Sequence, residues 1–467
     1  MEPQRGLAKA AHALSTSRMT LPAVLDIARA RDLIRTGRLT SVELTRTCLD
    51  RIAELNPRLN AFITVTDDEA LSSAEAADRE LAAGYDRGPL HGIPISLKDI
   101  IDQRGVVTTA ASRVRDPIPA AADAALTAVL RQSGAVLIGK TNLHEFALGT
   151  TSDESAFGPV HHWLDPTRSP GGSSGGSAVA VATGMSLASI GTDTGGSIRI
   201  PAAACGVVGL KPGVGEISTD GIVPLSRTLD HAGPITRTVL DAALVYNALS
   251  RRSETIAAQP LKGCRLGVLQ GYFSAQLEDA VRDEYKRAVT ILESAGALVE
   301  TLEIDHAFAV PAIYLGILFP EAAAYHGSML DQRGDRYSPG VRHRLEAARY
   351  VLGEDYVRAM DGRDAFRRAV DRALDKADAL LAPGLALTAP EIGAASVHLG
   401  GTSQPVRAAM LRLTQPFNVT GHPAIVFPCG TGPGGLPCSL QMIGRRGATP
   451  DLLALALSCE AQVRGFG

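Results

Sequence analysis

The sequence predicts an α/β protein built on one large mixed β-sheet covered by helices on both faces. Two observations predict it. Helix and strand patterns alternate. A helix over about 124–133 ends at Gly134 and runs into an apolar strand, Ala135–Ile138. A strand over 264–269, a helix over 277–295 and a strand over 298–304 repeat the theme. The composition is also that of an ordinary globular chain, 45% hydrophobic and 20% charged over 467 residues. That length allows two or three domains, but large α/β enzymes of this size often stay single.

The elements follow in chain order. Residues 1–20 read as a disordered leader. MEPQRGLAKAAHALSTSR is basic but lacks the apolar h-region of a signal peptide, and Met19 is an alternative start. Residues 22–36 form an amphipathic helix closed by Gly37. Thr40 and Glu43 make a capping box for a helix over about 41–55, which ends at Asn56-Pro57. Asp67 caps a third helix, about 68–83, before Gly84. In HGIPISLKDI (91–100), Ile93, Ile95 and Leu97 point one way and Pro94, Ser96 and Lys98 the other. This is a buried strand with Lys98 near its end. Asp123 caps the 124–133 helix, and a helix over 236–249 closes the first half. Residues 255–375 are mostly long helical patterns around the αβ unit named above. Strand-like runs return at 378–382, 424–428 and 439–443, and a last helix covers about 450–464.

Several function classes are excluded early. The net charge of −3 marks no nucleic-acid or acidic-membrane partner. No apolar run reaches the ~18 residues of a membrane span. The six cysteines (Cys48, Cys205, Cys264, Cys429, Cys438 and Cys459) form no C-x-x-C pair. They fit a reducing cytoplasm rather than a disulfide framework. The eleven histidines form no ligand-spaced cluster, so neither a metal nor another cofactor is expected.

The stretch from Asp165 to Gly209 organises the rest. It wraps glycines around serine twice, at Gly171-Gly172-Ser173-Ser174-Gly175-Gly176 and at Gly195-Gly196-Ser197. The first cluster has linker composition, but the apolar run 178–182 follows at once. Two familiar motifs also match and are refused on context. Gly134 to Thr141 satisfies the P-loop pattern, but the residues between its glycines are branched and apolar and form the strand itself. Gly171 to Gly175 satisfies the nucleophile elbow G-x-S-x-G. No strand feeds it, and neither His398 nor His422 has supporting local sequence.

Lys98, Ser173 and Ser197 then stand out together, 75 and 24 residues apart. Each has a bland reading. Lys98 is a strand-end lysine that snorkels to solvent, and for Lys98 alone that reading would prevail. Ser173 is a turn serine, and Ser197 caps the helix it opens. The segments around them decide between the readings. GPLHGIPISLKDI, GAVLIGKTNLHEFALGTTSDESAFGP, RSPGGSSGGSAVAVATG, GTDTGGSIRIPAAACGVVGLKP, GHPAIVFPCG and LPCSLQMIG resemble the amidase signature family of serine hydrolases, in family order from about 24 to 465.

The resemblance implies one domain over 21–467, with a variable helical substrate-side region at about 255–375. It implies that Ser197 is the acylated nucleophile, that Ser173, after a cis bond from Gly172, bridges, and that Lys98 is the base. Backbone N–H groups of Thr194, Gly195, Gly196 and Ser197 would form the oxyanion hole. The chemistry is coherent with the residues. A serine hydroxyl needs a base, and a lysine can serve only when neutral. An apolar setting such as Ile93, Ile95 and Leu97 lowers a lysine's pKa, while Asp99 faces away. Asp193 and Arg199 read as a supporting ion pair.

The implied activity is hydrolysis of a small carboxamide, anilide, carbamate or ester, in the cytoplasm, by a monomer or homodimer without nucleic-acid or membrane partners. The alternative is the glutamine-hydrolysing component of a tRNA-dependent amidotransferase. In those proteins an aspartate holds the glutamine ammonium, and Leu411 falls at its place; Arg367 is a loose match to the arginine that holds the carboxylate. Apolar residues over 308–320 and 405–417 suit an apolar or aryl group, and equally suit core packing.

Overall fold

The computed structural model describes residues 25–465; the expected leader and the choice between Met1 and Met19 lie outside them. A helical layer comes first: α1 (Ile27–Arg35), α2 (Ser41–Leu59), then β1 (Phe62–Val65) and α3 (Asp67–Ala82). The first half continues through β2 (Pro94–Lys98), α4 (Ala125–Gln132), β3 (Val136–Thr141), α5 (Gly175–Thr183), β4 (Ala188–Asp193), α6 (Arg199–Cys205), β5 (Val208–Lys211), β6 (His231–Thr236) and α7 (Val239–Leu249). The second holds β7 (Arg265–Leu269), α8 (Asp279–Ser294), β8 (Leu298–Leu302), α9 (Val310–Arg333), α10 (Pro339–Ala348), α11 (Gly353–Lys376) and β9 (Ala379–Pro383). A hairpin of β10 (Ser396–Leu399) and β11 (Thr402–Pro405) leads to α12 (Val406–Leu411) and α13 (Gln415–Thr420). Then come β12 (Ala424–Thr431), β13 (Pro437–Ile443) and α14 (Thr449–Gly465).

One mixed sheet of 11 strands runs through both halves in the order β1-β3-β2-β4-β6-β5-β12-β13-β9-β7-β8. β2 is parallel to β3 and β4, and β7 is parallel to β8 and β9; the other pairings are antiparallel. Every residue of β2, β3, β4, β5, β6 and β9 is buried. Successive side chains point to opposite faces, so both faces of the sheet are covered. The halves join where β5 pairs with β12, Ile425 opposite Leu210.

Local chemistry explains where the elements depart from expectation. The Thr40–Glu43 capping box forms. α2 nevertheless continues past Asn56-Pro57 to Leu59, because a proline in the last turn forfeits only one helical bond. Asp67 is the first helical residue rather than the cap, which is Thr66. Its charge suits the positive helix start instead. Asp123 does not cap α4; its carboxylate accepts from Arg104 N (2.8 Å) and Arg131 Nε (3.0 Å). β3 extends beyond Ile138 to include Lys140 and Thr141. No pattern marked β4, β5 or β6. ASIGTD and HAGPIT mix glycine, proline and hydroxyl residues, so neither an apolar run nor an alternation shows.

One helical stretch, 307–336, is long and apolar enough to cross a membrane, which the sequence reading did not find. Here it packs against α10 and α11. Its Glu321 also accepts from Ser226 Oγ, Thr228 N and Thr228 Oγ1.

Candidate active site

The end of β2 places Lys98 between β3 and β4, fully buried. Its Nζ donates to Ser173 Oγ (2.7 Å) and Thr192 Oγ1 (2.9 Å). Burial pushes its pKa down to about 7, although the charges of Asp193 and Asp230 pull the other way. Asp99 turns from it, as alternation predicts, and pairs with Lys140 at 3.0 Å, both side chains fully buried. The lysine of the P-loop-like stretch is thus engaged inside the sheet rather than exposed in a phosphate cradle.

The two glycine clusters meet beside Lys98. The Gly172–Ser173 peptide is cis. The Ser173 carbonyl accepts from His144 N (3.1 Å) and Ser152 Oγ (3.2 Å). A Cβ on Gly172 would come within 2.9 Å of Ser152 N, so only glycine allows this approach. Ser174 N donates to Ser197 O at 3.2 Å and ties the clusters together. Ser197 is 6% exposed, and its hydroxyl makes no hydrogen bond among the described residues. The expected helix cap is not made: α6 starts at Arg199, and its N-terminal amides, together with Ile198 N, are claimed by other groups. Ile198 N and Arg199 N donate to Asp193 Oδ2, at 3.1 and 3.3 Å. By contrast, the N–H groups of Thr194, Gly195, Gly196 and Ser197 donate to nothing among the described residues. A run of free amides is suited to receive an anion.

A buried network fixes this loop. Arg199 pairs with Asp193 (2.9 Å) with both side chains fully buried. It also donates to Gln441 Oε1 (2.8 Å) and Asn418 Oδ1 (2.6 Å). Burial alone would push the Asp193 carboxyl up, but the Arg199 guanidinium outweighs it and holds the group below the usual carboxylate range. Thr414 Oγ1 donates to Gly195 O (2.7 Å), and Thr194 Oγ1 to Asp230 (2.5 Å). Burial pushes Asp230 up to about 6. A cavity of about 490 Å³ opens beside Thr192 and Thr194, walled by Ile100, Val223 and Leu225.

On the other side of the loop stand Tyr314 and Leu411. A Cβ on Gly195 would lie against the Tyr314 hydroxyl and 2.9 Å from Leu411 Cδ2. Leu411, singled out by sequence, therefore borders the free amides. Arg367 is engaged elsewhere, with Thr420 O (3.1 Å) and Asp364 (3.0 Å). His422 pairs with Asp371 (3.0 Å), and His398 lies in the β10–β11 hairpin. Neither bonds a serine of the glycine clusters. Sequence reasoning missed Thr192, Asp230, Tyr314, Thr414, Asn418 and Gln441. Thr192 and Gln441 lie inside quoted segments; Asp230, Tyr314, Thr414 and Asn418 carry no local signal, since their partners are distant in sequence. Among the described residues no group of three His, Cys, Asp or Glu could hold a metal ion.

The Amidase family model matches residues 43–453. A glutamyl-tRNA(Gln) amidotransferase subunit of Roseiflexus sp. (strain RS-1) is 37% identical over 467 residues, 91% of this chain and 94% of that protein. A solved amidase superposes with a TM-score of 0.90 at 38% identity, covering 94% of this chain and 100% of its own. A chain of an inhibitor-bound vestigial protein complex, described as revealing the evolutionary origins of an s-triazine catabolic enzyme, gives 0.89 at 32% identity, covering 94% and 99%.

Proposed function

The chain belongs to the amidase family, and we propose that it is an amidohydrolase cleaving the C–N bond of a small carboxamide through an acyl-enzyme on Ser197. Anilides, carbamates and some esters belong to the same class. Ser197 attacks the carbonyl carbon as its proton passes to Ser173, whose own proton passes to neutral Lys98. The amides of Thr194, Gly195, Gly196 and Ser197 receive the oxyanion. The C–N bond then breaks and the amine leaves with the proton returned through Ser173. Water attacks the ester by the same relay and releases the acid. The observation that carries this reading is the 2.7 Å contact of Lys98 with Ser173, with burial holding the lysine near neutrality. In this reading the protein acts in the cytoplasm, as a monomer or homodimer, on a small-molecule amide or carbamate. The six buried, unpaired cysteines support a reducing compartment.

A second reading has the same relay release ammonia from glutamine within a tRNA-dependent amidotransferase. The name of the Roseiflexus relative favours it. Leu411 beside Gly195 speaks against it, since an apolar side chain cannot hold the glutamine ammonium. A panel of anilides, primary amides, a carbamate and glutamine separates the two. Turnover of anilides or carbamates without glutamine supports the hydrolase; turnover of glutamine alone supports the amidotransferase reading. In either case Ser197→Ala is expected to lose turnover and labelling by a serine-directed phosphonyl fluoride. Labelling at an unchanged rate removes Ser197 from the nucleophile's role.

A further inference from the structure

Arg407 is a half-buried cation that the relay does not use. α12 carries it one turn before Leu411, so both side chains lie along one helix face. Leu411 borders Gly195. Arg407 has neither an ion pair nor a hydrogen bond among the described residues, and its Nε is sealed from solvent with no partner. Nearby arginines are matched. Arg344 donates to Glu154 (2.9 Å) and Leu148 O (2.8 Å). Arg412 donates to Tyr272 O (2.8 Å) and lies over the Tyr272 ring. Burial disfavours the Arg407 charge and Arg344 adds repulsion; Tyr314, whose hydroxyl lies against Gly195, favours it. A guanidinium drawn largely out of water, with its Nε sealed and no counter-charge, is costly unless something else supplies one.

A cavity of about 260 Å³ lies at this position. Arg407 and Arg412 line it with Pro311, Leu315 and Leu411, and no acidic residue among those described contributes to its wall. We propose that the substrate carries a carboxylate, held by Arg407 in this cavity, with Leu411 between the carboxylate and the scissile bond. The guanidinium fork matches a carboxylate in two parallel hydrogen bonds, and the apolar walls suit the carbon chain that joins it to the amide. The apolar residues over 405–417 thus flank a charge rather than forming a wholly apolar pocket. This inference rests on the hydrolase reading of Ser197.

The test compares matched pairs: N-phenylsuccinamate with butyranilide for a carboxylate on the acyl side, and 4-carboxyacetanilide with 4-methylacetanilide for one on the leaving group. In wild type one carboxylate is expected to exceed its neutral isostere in kcat/KM by roughly 10- to 100-fold. That ratio should collapse in Arg407→Met and recover in part in Arg407→Lys, each first checked for native circular dichroism. Calorimetric binding of the same pairs to Ser197→Ala repeats the comparison without turnover. Hydrolysis of the neutral anilides with no carboxylate preference overturns the inference and leaves the hydrolase reading standing. A preference that survives in Arg407→Met also overturns it, as does equal binding, or no binding, of each pair to Ser197→Ala. Carboxylate-selective, Arg407-dependent binding without hydrolysis of any of the four supports Arg407 and rules out anilide hydrolysis alone.

Discussion

Lys98 can accept a proton only when uncharged, and its surroundings set the pH at which that happens. With burial holding its pKa at about 7, the ammonium form prevails in acid and the amine above neutrality. We expect kcat/KM to rise with pH through one limb near 7 and level off on the alkaline side. Lys98→Met should lose the limb and about 10²- to 10⁴-fold in kcat; Lys98→Arg should do no better, since arginine stays protonated. A limb that persists in Lys98→Met, or vanishes only when His422 is replaced, overturns the lysine base. His422 is held down at about 4 by burial, so it offers no group that titrates near 7. The same shift has a stability sign. Lys98 titrates near 10.5 ordinarily and near 7 when folded, so between those values the unfolded chain binds more protons and stability rises with pH. Lys98→Met should therefore raise the urea midpoint more at pH 6 than at pH 10. Chelators are expected to leave activity unchanged, and loss reversed by zinc would contradict the serine relay.

The loop between β4 and α6 holds its shape through groups on other elements. Asp193 and Arg199 could be read from sequence as a pair because they flank the nucleophile. Their other partners, Asn418 on α13 and Gln441 on β13, lie more than 200 residues away, and no spacing in the sequence ties them to this loop. Asp193→Asn leaves Arg199 buried with its compensating charge removed. We expect a loss of about 3–5 kcal/mol in urea unfolding, with kcat falling as the free amides are displaced. A stable, fully active Asp193→Asn would show that the pair does not position the loop. Gly196 has φ +142, and a Cβ there would meet Thr414 Oγ1, so Gly196→Ala should lose activity by moving the same amides. That need for glycine was legible at once in the doubled clusters. Which amides remain free was not.

Across the whole molecule, the sheet passes without interruption from β1 to β8, and the β5–β12 pairing joins the 91–210 and 378–443 segments edge to edge. Separating the halves would leave β5 and β12 with unpaired edges and uncover the buried faces around them. Limited proteolysis should therefore yield no half that folds by itself, and nicked chains should stay together under native conditions. Isolation of a stable fragment ending between β6 and β7 would refute this.

The order of amino acids already names the residue types that can do the chemistry. Lys98 ends an apolar strand, serines sit among glycines that permit close backbone approach, and the family segments follow in order. These features act over a few residues, within reach of spacing and propensity. The environment of those residues comes from packing between distant segments. Burial from every side makes Lys98 a candidate base, Leu411 and Tyr314 arrive beside Gly195 from distant helices, and Arg407 is left without a counter-charge. Desolvation and pairing depend on all the atoms within several ångströms, and in this fold those atoms come from both ends of the chain.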